Sequence, residues 1–224
     1  MALVTRWRDV KYAVVDLETT GTDQRVHEVL SIGILPIDDG RIAVGQEYYQ
    51  TVRPTLPPGR ASIVLHGIRP VDAAAGHAAS DLVEDVEMRL RGRVLVSHVA
   101  EMERGFLNRW LTYRYLRPRD LVDTDVLSRL IIARQGGPLL TGHIGLGAAA
   151  GHFGLPEHRR HHALGDALTT AQLFLATASL LRPDDSATLA DLRRAPRLLK
   201  REQGRQRIWR AMSRGREAKS YEIS

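Results

Sequence analysis

Cysteine is absent from this sequence of 224 residues, which excludes disulfides, cysteine-based zinc sites and thiol chemistry. Long hydrophobic runs are also missing, since no apolar stretch approaches the ~18 residues that a membrane span requires. Charged residues among the first eighteen positions interrupt the apolar stretch that a secretory signal would need. The sequence has no internal repeat and no low-complexity segment. We therefore expect a soluble, intracellular, cytoplasmic protein that has no membrane partner.

The net charge of +6 is distributed unevenly along the chain. Residues 1–192 hold 21 basic and 23 acidic residues, a net charge of −2, whereas residues 193–224 hold 11 basic and 3 acidic residues, a net charge of +8. Such asymmetry indicates a polyanionic partner, and a solvated surface helix would have the same composition. The composition changes near Pro183. The sequence therefore predicts a domain over residues 1–182 and a basic C-terminal extension over residues 183–224.

Hydrophobic spacing predicts both strands and helices. Short β-branched runs bounded by turn residues predict strands over residues 12–18, 26–37, 42–52 and 94–96, with a proline-rich loop after residue 53. Apolar residues at helical spacing predict helices over residues 79–90, 102–111, 124–133, 144–153 and 163–181. In the extension we expect Leu192, Leu199 and Trp209 to pack on the body and Pro196 to interrupt any helix. This order of elements predicts an α/β fold, with helices on the faces of a mixed sheet.

Two carboxylates end the first predicted strand. Alternate residues of a strand share a face, so Asp16 and Glu18 point the same way after the apolar residues 13–15. Two anions at the end of a buried strand are costly unless a cation neutralises them, and Mg²⁺ or Mn²⁺ binds such oxygen ligands. The alternative is a pair of solvated carboxylates on an exposed edge, since Asp-x-Glu alone is a common sequence.

The longest predicted helix begins beside two histidines and an aspartate. His161 and Asp166 are five residues apart, which does not place them on one helix face, so we expect His161 in the preceding loop. Histidine suits a general base because its pKa lies near neutrality, while Asp166 would hold a metal. Alternatively, His161 and His162 are surface residues and Asp166 is a favourable charge near a helix N-terminus.

Together these segments resemble a known family. Residues 14–21, VVDLETTG, resemble the first motif of the DEDDh exonucleases, the superfamily that contains the proofreading epsilon subunit of bacterial DNA polymerase III. Residues 160–167, RHHALGDA, resemble the third motif, H-x-A-x-x-D-A. Residues 65–68 resemble a segment that contacts the terminal nucleotide in that family. The resemblance covers about residues 10–181.

The middle motif departs from the family pattern. The family reads G-H-N-x-x-F-D-x-x-F-L, whereas residues 97–107 read SHVAEMERGFL. Glu103 stands where the family has its third acidic residue, and it keeps the charge while adding one methylene. Glu101 is the rival, but the two lie about 200° apart on a helix, so only one can face the site. A solvated helix carboxylate is the other interpretation of Glu103. Val99 and Met102 replace a polar and an aromatic residue, which affects substrate positioning more than metal binding.

The resemblance implies a ribonuclease H-like fold with a five-stranded mixed sheet flanked by helices. It also implies two divalent cations, Mg²⁺ or Mn²⁺, and a 3′–5′ exonuclease that releases nucleoside 5′-monophosphates from single-stranded or frayed nucleic acid, with DNA favoured. The implied metal ligands are Asp16, Glu18, Glu103 and Asp166, the implied general base is His161, and the residues implied to hold the terminal nucleotide are Thr19, Thr20, Gly21, His66 and Met102. The alternative is a weakly active or inactive nucleic-acid-binding or polymerase-complex module on the same fold. A homodimer is left open.

Overall fold

A computed structural model describes residues 5–111, 116–138 and 140–221, with side chains described up to residue 207. The strands are β1 (Tyr12–Thr19), β2 (Val29–Asp38), β3 (Arg41–Ile42), β4 (Tyr48–Arg53), β5 (His77–Ala78), β6 (Val94–Ser97) and β7 (Leu121–Asp123). The helices are α1 (Arg60–His66), α2 (Pro70–Ala74), α3 (Ala79–Leu90), α4 (Glu101–Trp110), α5 (Thr124–Arg134), α6 (Leu146–His152), α7 (Ala163–Leu180) and α8 (Leu189–Tyr221).

The seven strands form one mixed sheet in the order β5-β4-β2-β1-β6-β7, and β3 pairs with β2 off this path. Strand β1 lies at the centre, since it pairs antiparallel with β2 and parallel with β6. This confirms the predicted α/β fold with helices flanking a mixed sheet. The predicted count of five strands is wrong, because β3 and β5 add two-residue strands whose sequences are too short to show alternating hydrophobicity.

The segment between β2 and α3 also differs from the prediction. The strand predicted over residues 42–52 is divided into β3 and β4 by a loop in which Gly45 has a φ of +89°. The proline-rich region contains two short helices that the sequence analysis did not predict. Gly67, with a φ of +74°, ends α1, and Pro70 begins α2 at a position where its missing N–H costs nothing.

Helices bury both faces of the sheet. On one face the aromatic rings of Trp7, Tyr12 and Phe174 are fully buried, with ring centroids 4.7 Å apart for Tyr12 and Phe174. Helices α5, α7 and the first turns of α8 complete this cluster. On the opposite face, α3 and α4 pack on β1 and β2, and Phe106 and Leu107 of α4 are buried there. The central strand is therefore covered on both sides up to its carboxyl end.

Helix α8 continues through Pro196, so the predicted interruption is wrong. A proline inside a helix removes one backbone donor. Here, however, the neighbouring residues Leu192, Ala195 and Leu199 are buried in the hydrophobic cluster that contains Trp7 and Phe174. Burial of these residues stabilises the helix on both sides of the proline, and it confirms that Leu192 and Leu199 pack on the body. The side chain of Trp209 lies outside the described residues. The division at residues 182 and 183 remains a prediction.

In the described part of the chain, no helix combines the length and the apolar character needed to cross a membrane.

Candidate active site

The first two acids lie at the carboxyl end of the central strand. Asp16 and Glu18 alternate along β1 and therefore project from the same face. Glu18 is buried, with 7% of its surface exposed, and Asp16 is half-buried. Thr19, which follows, pairs with Val29 across a register shift that ends the regular ladder. The strand thus places two carboxylates at its carboxyl end, in a position that is largely shielded from solvent.

Gly33 allows the longest helix to approach these carboxylates. It lies opposite Asp16 in the antiparallel ladder, so the two residues share a face of the sheet. A Cβ atom on Gly33 would overlap the backbone carbonyl of Ala163, the first residue of α7. The start of α7 consequently rests directly on β2. This close approach brings Asp166, in the first turn of the helix, next to the end of β1.

Glu18, His161 and Asp166 form the tightest group of metal-binding side chains among the described residues. One ligand atom from each lies within 4.8 Å of the other two. The backbone N–H of His161 donates to Oδ2 of Asp166 at 2.9 Å, and His161 has a φ of +53°. This left-handed conformation turns the chain sharply just before α7. The structure thereby brings together the carboxylate of β1, the carboxylate of α7 and the loop histidine.

Glu103 lies in the first turn of α4 with 6% of its surface exposed. Its Oε2 atom is buried and has no hydrogen-bond partner in the described part of the chain. Glu101 differs in both respects, because its side chain is 65% exposed and pairs with Arg104. A buried carboxylate oxygen without a donor is unfavourable unless a cation binds it. Glu103 therefore fits a metal ligand, whereas Glu101 does not face the site.

Burial and neighbouring acids raise the pKa values of all four carboxyl groups. Burial, followed by the charges of Glu103, Asp166 and Glu18, raises the pKa of Asp16 well above its usual range. Burial and then Asp166 raise the pKa of Glu18 to about 7. Burial raises the pKa of Glu103 to about 8, with Asp123 and Glu18 adding to the effect. Burial also raises the pKa of Asp166.

The charges of Glu103, Asp166 and Glu18 all act on Asp16, so the four carboxyl groups lie close enough to interact electrostatically. So many ionised oxygens are compatible with a low-dielectric position only when dications balance them. The donor set consists of carboxylate oxygens with one imidazole, which suits Mg²⁺ or Mn²⁺ better than a softer metal. The residues present therefore fit divalent cations, and the arrangement can polarise an anionic oxygen ligand beside a histidine.

The predicted substrate-contacting residues at the end of β1 and just beyond it make hydrogen bonds that fix the conformation of the following loop. The Thr19 hydroxyl donates to the carbonyl of Gly21 at 2.8 Å. Thr20 Oγ1 accepts the N–H of Glu28 at 3.0 Å and lies 3.2 Å from the His27 ring. A side chain on Gly21 would overlap that ring. The loop over residues 20–28 is therefore a fixed wall beside the acids.

His66 and Met102 lie on two other walls. Both ring nitrogens of buried His66 are bonded, Nδ1 accepting the N–H of Ile68 at 3.0 Å and Nε2 lying 2.6 Å from Ser62 Oγ. Burial, followed by the charge of His161, lowers the pKa of His66, which favours the neutral form of its ring. Met102 is half-buried, and its carbonyl accepts Gln24 Nε2 at 3.2 Å.

Sequence reasoning missed three contributors to the site. Gly33 could have been found as the lone glycine in the apolar run of β2. Asp123 was not among the predicted site residues, yet its carboxylate accepts the N–H groups of Val99 and Ala100 at 3.2 and 3.1 Å, which fixes the turn before α4. Tyr49 stacks on His162 with ring centroids 4.5 Å apart, and no sequence signal pointed to that contact.

Comparisons with known proteins show the family that this sequence resembles. Residues 13–174 match the RNase_T family, which is described as exonuclease. A DNA polymerase III subunit epsilon-like protein of Rhodobacter capsulatus is 30% identical over 200 residues, which cover 84% of this chain and 27% of that protein. A PolC-type DNA polymerase III of Thermotoga petrophila is 26% identical over 190 residues, which cover 83% of this chain and 13% of that protein. The chain thus spans about a quarter or less of the length of these two relatives.

A solved structure has the same architecture. The zinc-bound form of E. coli exonuclease I in complex with single-stranded DNA superimposes with a TM-score of 0.65 at 16% identity, covering 79% of this chain and 42% of that chain. At this identity the likeness shows the fold alone. It agrees with a ribonuclease H-like sheet flanked by helices.

Proposed function

Since the chain belongs to the RNase_T exonuclease family, we propose that it hydrolyses phosphodiester bonds at the 3′ end of single-stranded or frayed nucleic acid. The observation that carries this proposal is the convergence of Glu18, His161 and Asp166 within 4.8 Å, beside the buried Glu103. Three segments far apart in sequence supply these side chains. Such a cluster of buried acids is costly for folding, and it supplies the ligands that metal-assisted hydrolysis requires.

The ligand set that we propose comprises Asp16, Glu18, Glu103 and Asp166, which would hold two Mg²⁺ or Mn²⁺ ions. Bound dications would polarise the scissile phosphate and stabilise the charge that develops on the leaving oxygen. Glu103 reaches inward with one more methylene than aspartate. Its unpartnered Oε2 atom supports direct coordination over a purely electrostatic contribution.

His161 is the general base in this proposal. An imidazole nitrogen of His161 would accept the proton of the attacking water, while its backbone N–H stays bonded to Asp166 at 2.9 Å. That bond keeps the loop next to α7 and does not involve the ring nitrogens. His162 is less suited to the task, because its ring stacks on Tyr49 and its Nδ1 lies 3.4 Å from the Gly165 N–H at the helix start.

The proposed site for the terminal nucleotide comprises Thr19, Thr20, Gly21, His66 and Met102. These residues form rigid walls around the acids, and the side chain of Met102 offers an apolar surface on which a base could rest. We favour DNA as the substrate because the epsilon-like and PolC-type relatives are named as parts of DNA polymerase III. The release of nucleoside 5′-monophosphates is part of the same proposal.

An assay on labelled DNA and RNA oligomers with Mg²⁺ or Mn²⁺ tests this function. We expect stepwise shortening from the 3′ end, and we expect His161→Ala to lower kcat by about 10²–10⁴ while the metal still raises the melting temperature. Asp166→Asn should lose both activity and the metal-induced shift. The exposed His152→Ala serves as the matched control and should behave as wild type.

The specific alternative is a weakly active or inactive nucleic-acid-binding module on the same fold. Val99, Met102 and Glu103, which depart from the family pattern, favour it. Oligomers that bind without being shortened under either metal would support this alternative over the nuclease.

We further propose that the basic extension binds nucleic acid or a polymerase or repair-complex partner. Seven exposed cations lie between residues 193 and 207 of α8, namely Arg193, Arg194, Arg197, Lys200, Arg201, Arg205 and Arg207. Such a density of positive charge suits a polyphosphate backbone. A homodimer and a cytoplasmic location stay predictions.

A further inference from the structure

A second concave site lies on the α3 and α4 face of the sheet, beyond the loop that follows β1. It is a cavity of about 170 Å³ whose lining includes Val29, Val52, Phe106 and the indole of Trp110. These side chains make the floor of the cavity apolar. Arg53 and Arg109 also line the cavity, and both are exposed to solvent.

The cavity shares its walls with the proposed active site. Val29 pairs with Thr19, the residue that follows Glu18 on β1. Phe106 lies three residues after Glu103 on α4, a rise of about 5 Å along the helix. The loop over residues 20–28 separates the two sites, and the Thr20 N–H donates to the carbonyl of Glu28 at 2.9 Å. A strand that leaves the acids across this loop reaches the cavity within a few nucleotides.

The charges of the lining favour a phosphate-bearing ligand. Nη1 of Arg109 donates to the carbonyls of Gln24 and His27, at 2.9 Å for His27, so the guanidinium is held at the loop. Arg53 has no ion-pair partner among the described residues. Glu28 is the acid of the lining, and its two oxygens accept the N–H and the hydroxyl of Thr55 at 2.9 and 2.8 Å. Both carboxylate oxygens of Glu28 are therefore occupied by donors from Thr55.

We propose that this cavity binds one base of the substrate strand upstream of the terminal nucleotide, with Arg53 and Arg109 contacting the adjacent phosphates. An apolar floor with an aromatic wall and exposed cations is the combination that holds single-stranded nucleic acid without reading its sequence. The inference rests on the proposed function, because the strand reaches the cavity only when its 3′ end occupies the acidic site. The cavity would position the strand and set the shortest oligomer that binds tightly.

Oligomers with single abasic residues test the proposal on the full-length Asp166→Asn protein, in which they stay intact. The dissociation constant is measured for thymidine oligomers that carry one abasic residue at each of the first six positions from the 3′ end. We expect one internal position at which the loss of the base weakens binding at least about fivefold. Ala79→Leu, which fills the cavity, should remove that penalty, whereas the exposed Ala148→Leu should keep it.

Arg53→Ala provides a second test that does not depend on a filled cavity. It should weaken the binding of a hexamer about three- to tenfold and leave the binding of a dinucleotide unchanged, because only the hexamer reaches the cavity. Penalties confined to the terminal position, or an internal penalty that persists in Ala79→Leu, would overturn the cavity while leaving the nuclease intact. A protein that binds no oligomer at all would overturn both proposals.

Discussion

Val99 adopts a backbone conformation that its side chain disfavours. Its φ of +59° lies in the left-handed region, where β-branched residues are rare outliers. The family pattern has asparagine at this position, a residue that enters this region at little cost. The conformation persists because the Asp123 carboxylate binds the N–H groups of Val99 and Ala100 and so imposes the turn that aims α4 at the site.

Relief of this strain should stabilise the protein. We expect Val99→Asn to raise the free energy of unfolding by about 1 kcal/mol. The backbone strain that asparagine relieves is larger than the stabilisation that the half-buried apolar side chain of valine provides. Chemical denaturation provides the measurement. The matched control is Val44→Asn at an exposed position without a positive φ, where we expect no change. Equal effects at the two positions would show that Val99 stores no strain.

The orientation of the acids was accessible from the sequence, and the conformation of the loop was not. Strand alternation predicts that Asp16 and Glu18 share a face, and helical spacing distinguishes Glu103 from Glu101, because both rules depend only on local geometry. The left-handed turn at His161 depends on a bond to Asp166 that forms only after α7 has packed. Local rules cannot predict a conformation that tertiary contacts impose.

At the scale of elements, the position of α7 depends on one missing side chain. Gly33 lets the start of α7 rest on β2, since a Cβ there would overlap the backbone of Ala163. Backbone cannot move aside as the end of a flexible side chain can. Any displacement of α7 also moves Asp166 away from Glu18, so packing and the proposed metal site are coupled at this crossing.

We therefore expect Gly33→Ala to lower the free energy of unfolding by about 1–3 kcal/mol and to weaken metal binding. Thermal denaturation with and without Mn²⁺ measures both effects. Gly151→Ala is the matched control, because a Cβ there meets open space inside α6, and it should stabilise the helix by about 0.5–1 kcal/mol. A Gly33→Ala protein as stable as wild type would mean that the close contact is not essential.

Elements with strong periodicity were predicted within a few residues, and short elements were missed. Helix α3 matches its predicted bounds, and α5 differs from its prediction by one residue at its end. Helices α1 and α2, of seven and five residues, lie in a segment whose prolines suggested only a loop. The hydrophobic pattern also did not predict that α8 continues through Pro196, because burial of the flanking residues outweighs the lost hydrogen bond.

At the scale of the whole molecule, the acidic site lowers stability in return for function. The pKa of Glu103 rises to about 8 and that of Glu18 to about 7 in the folded protein, whereas carboxyls of an unfolded chain titrate near 4.5. As the pH rises through this window, the unfolded state loses its protons first. The metal-free folded state is therefore most stable below pH ~4.5 with respect to these groups, and it loses that stability by pH ~8.

We expect the melting temperature in EDTA to fall between pH 5.5 and pH 8, and Mn²⁺ to restore it more strongly at pH 8 than at pH 5.5, because bound cations require deprotonated ligands. Glu103→Gln should flatten the fall in EDTA and reduce the response to Mn²⁺. The control, Glu84→Gln, removes an exposed acid of α3 and should leave both profiles unchanged. A melting temperature in EDTA that rises over this range would contradict the burial of these acids.

The basic face of α8 lies away from the acids and should act on binding rather than on chemistry. Gln206 Nε2 donates to the carbonyl of Ala133, near the end of α5, whereas α5 begins beside Asp123 on the side of the site. The eleven residues of α5 place this contact about 15 Å along the helix from the end that lies beside Asp123. Cations at such a distance can attract a phosphate backbone but cannot touch the reacting end.

The double variant Arg197→Ala with Arg201→Ala should therefore weaken nucleic-acid binding, lower the slope of log Kd against log salt by about 1–2, and leave kcat unchanged. Arg41→Ala with Arg119→Ala removes two exposed cations elsewhere and is the matched control. Substitution is preferable to truncation after residue 183. Truncation would also remove the buried Leu192, Ala195 and Leu199 and so disrupt the hydrophobic cluster that contains Trp7 and Phe174. Salt slopes that coincide for the two double variants would assign the cations of α8 to a protein partner or to solvent.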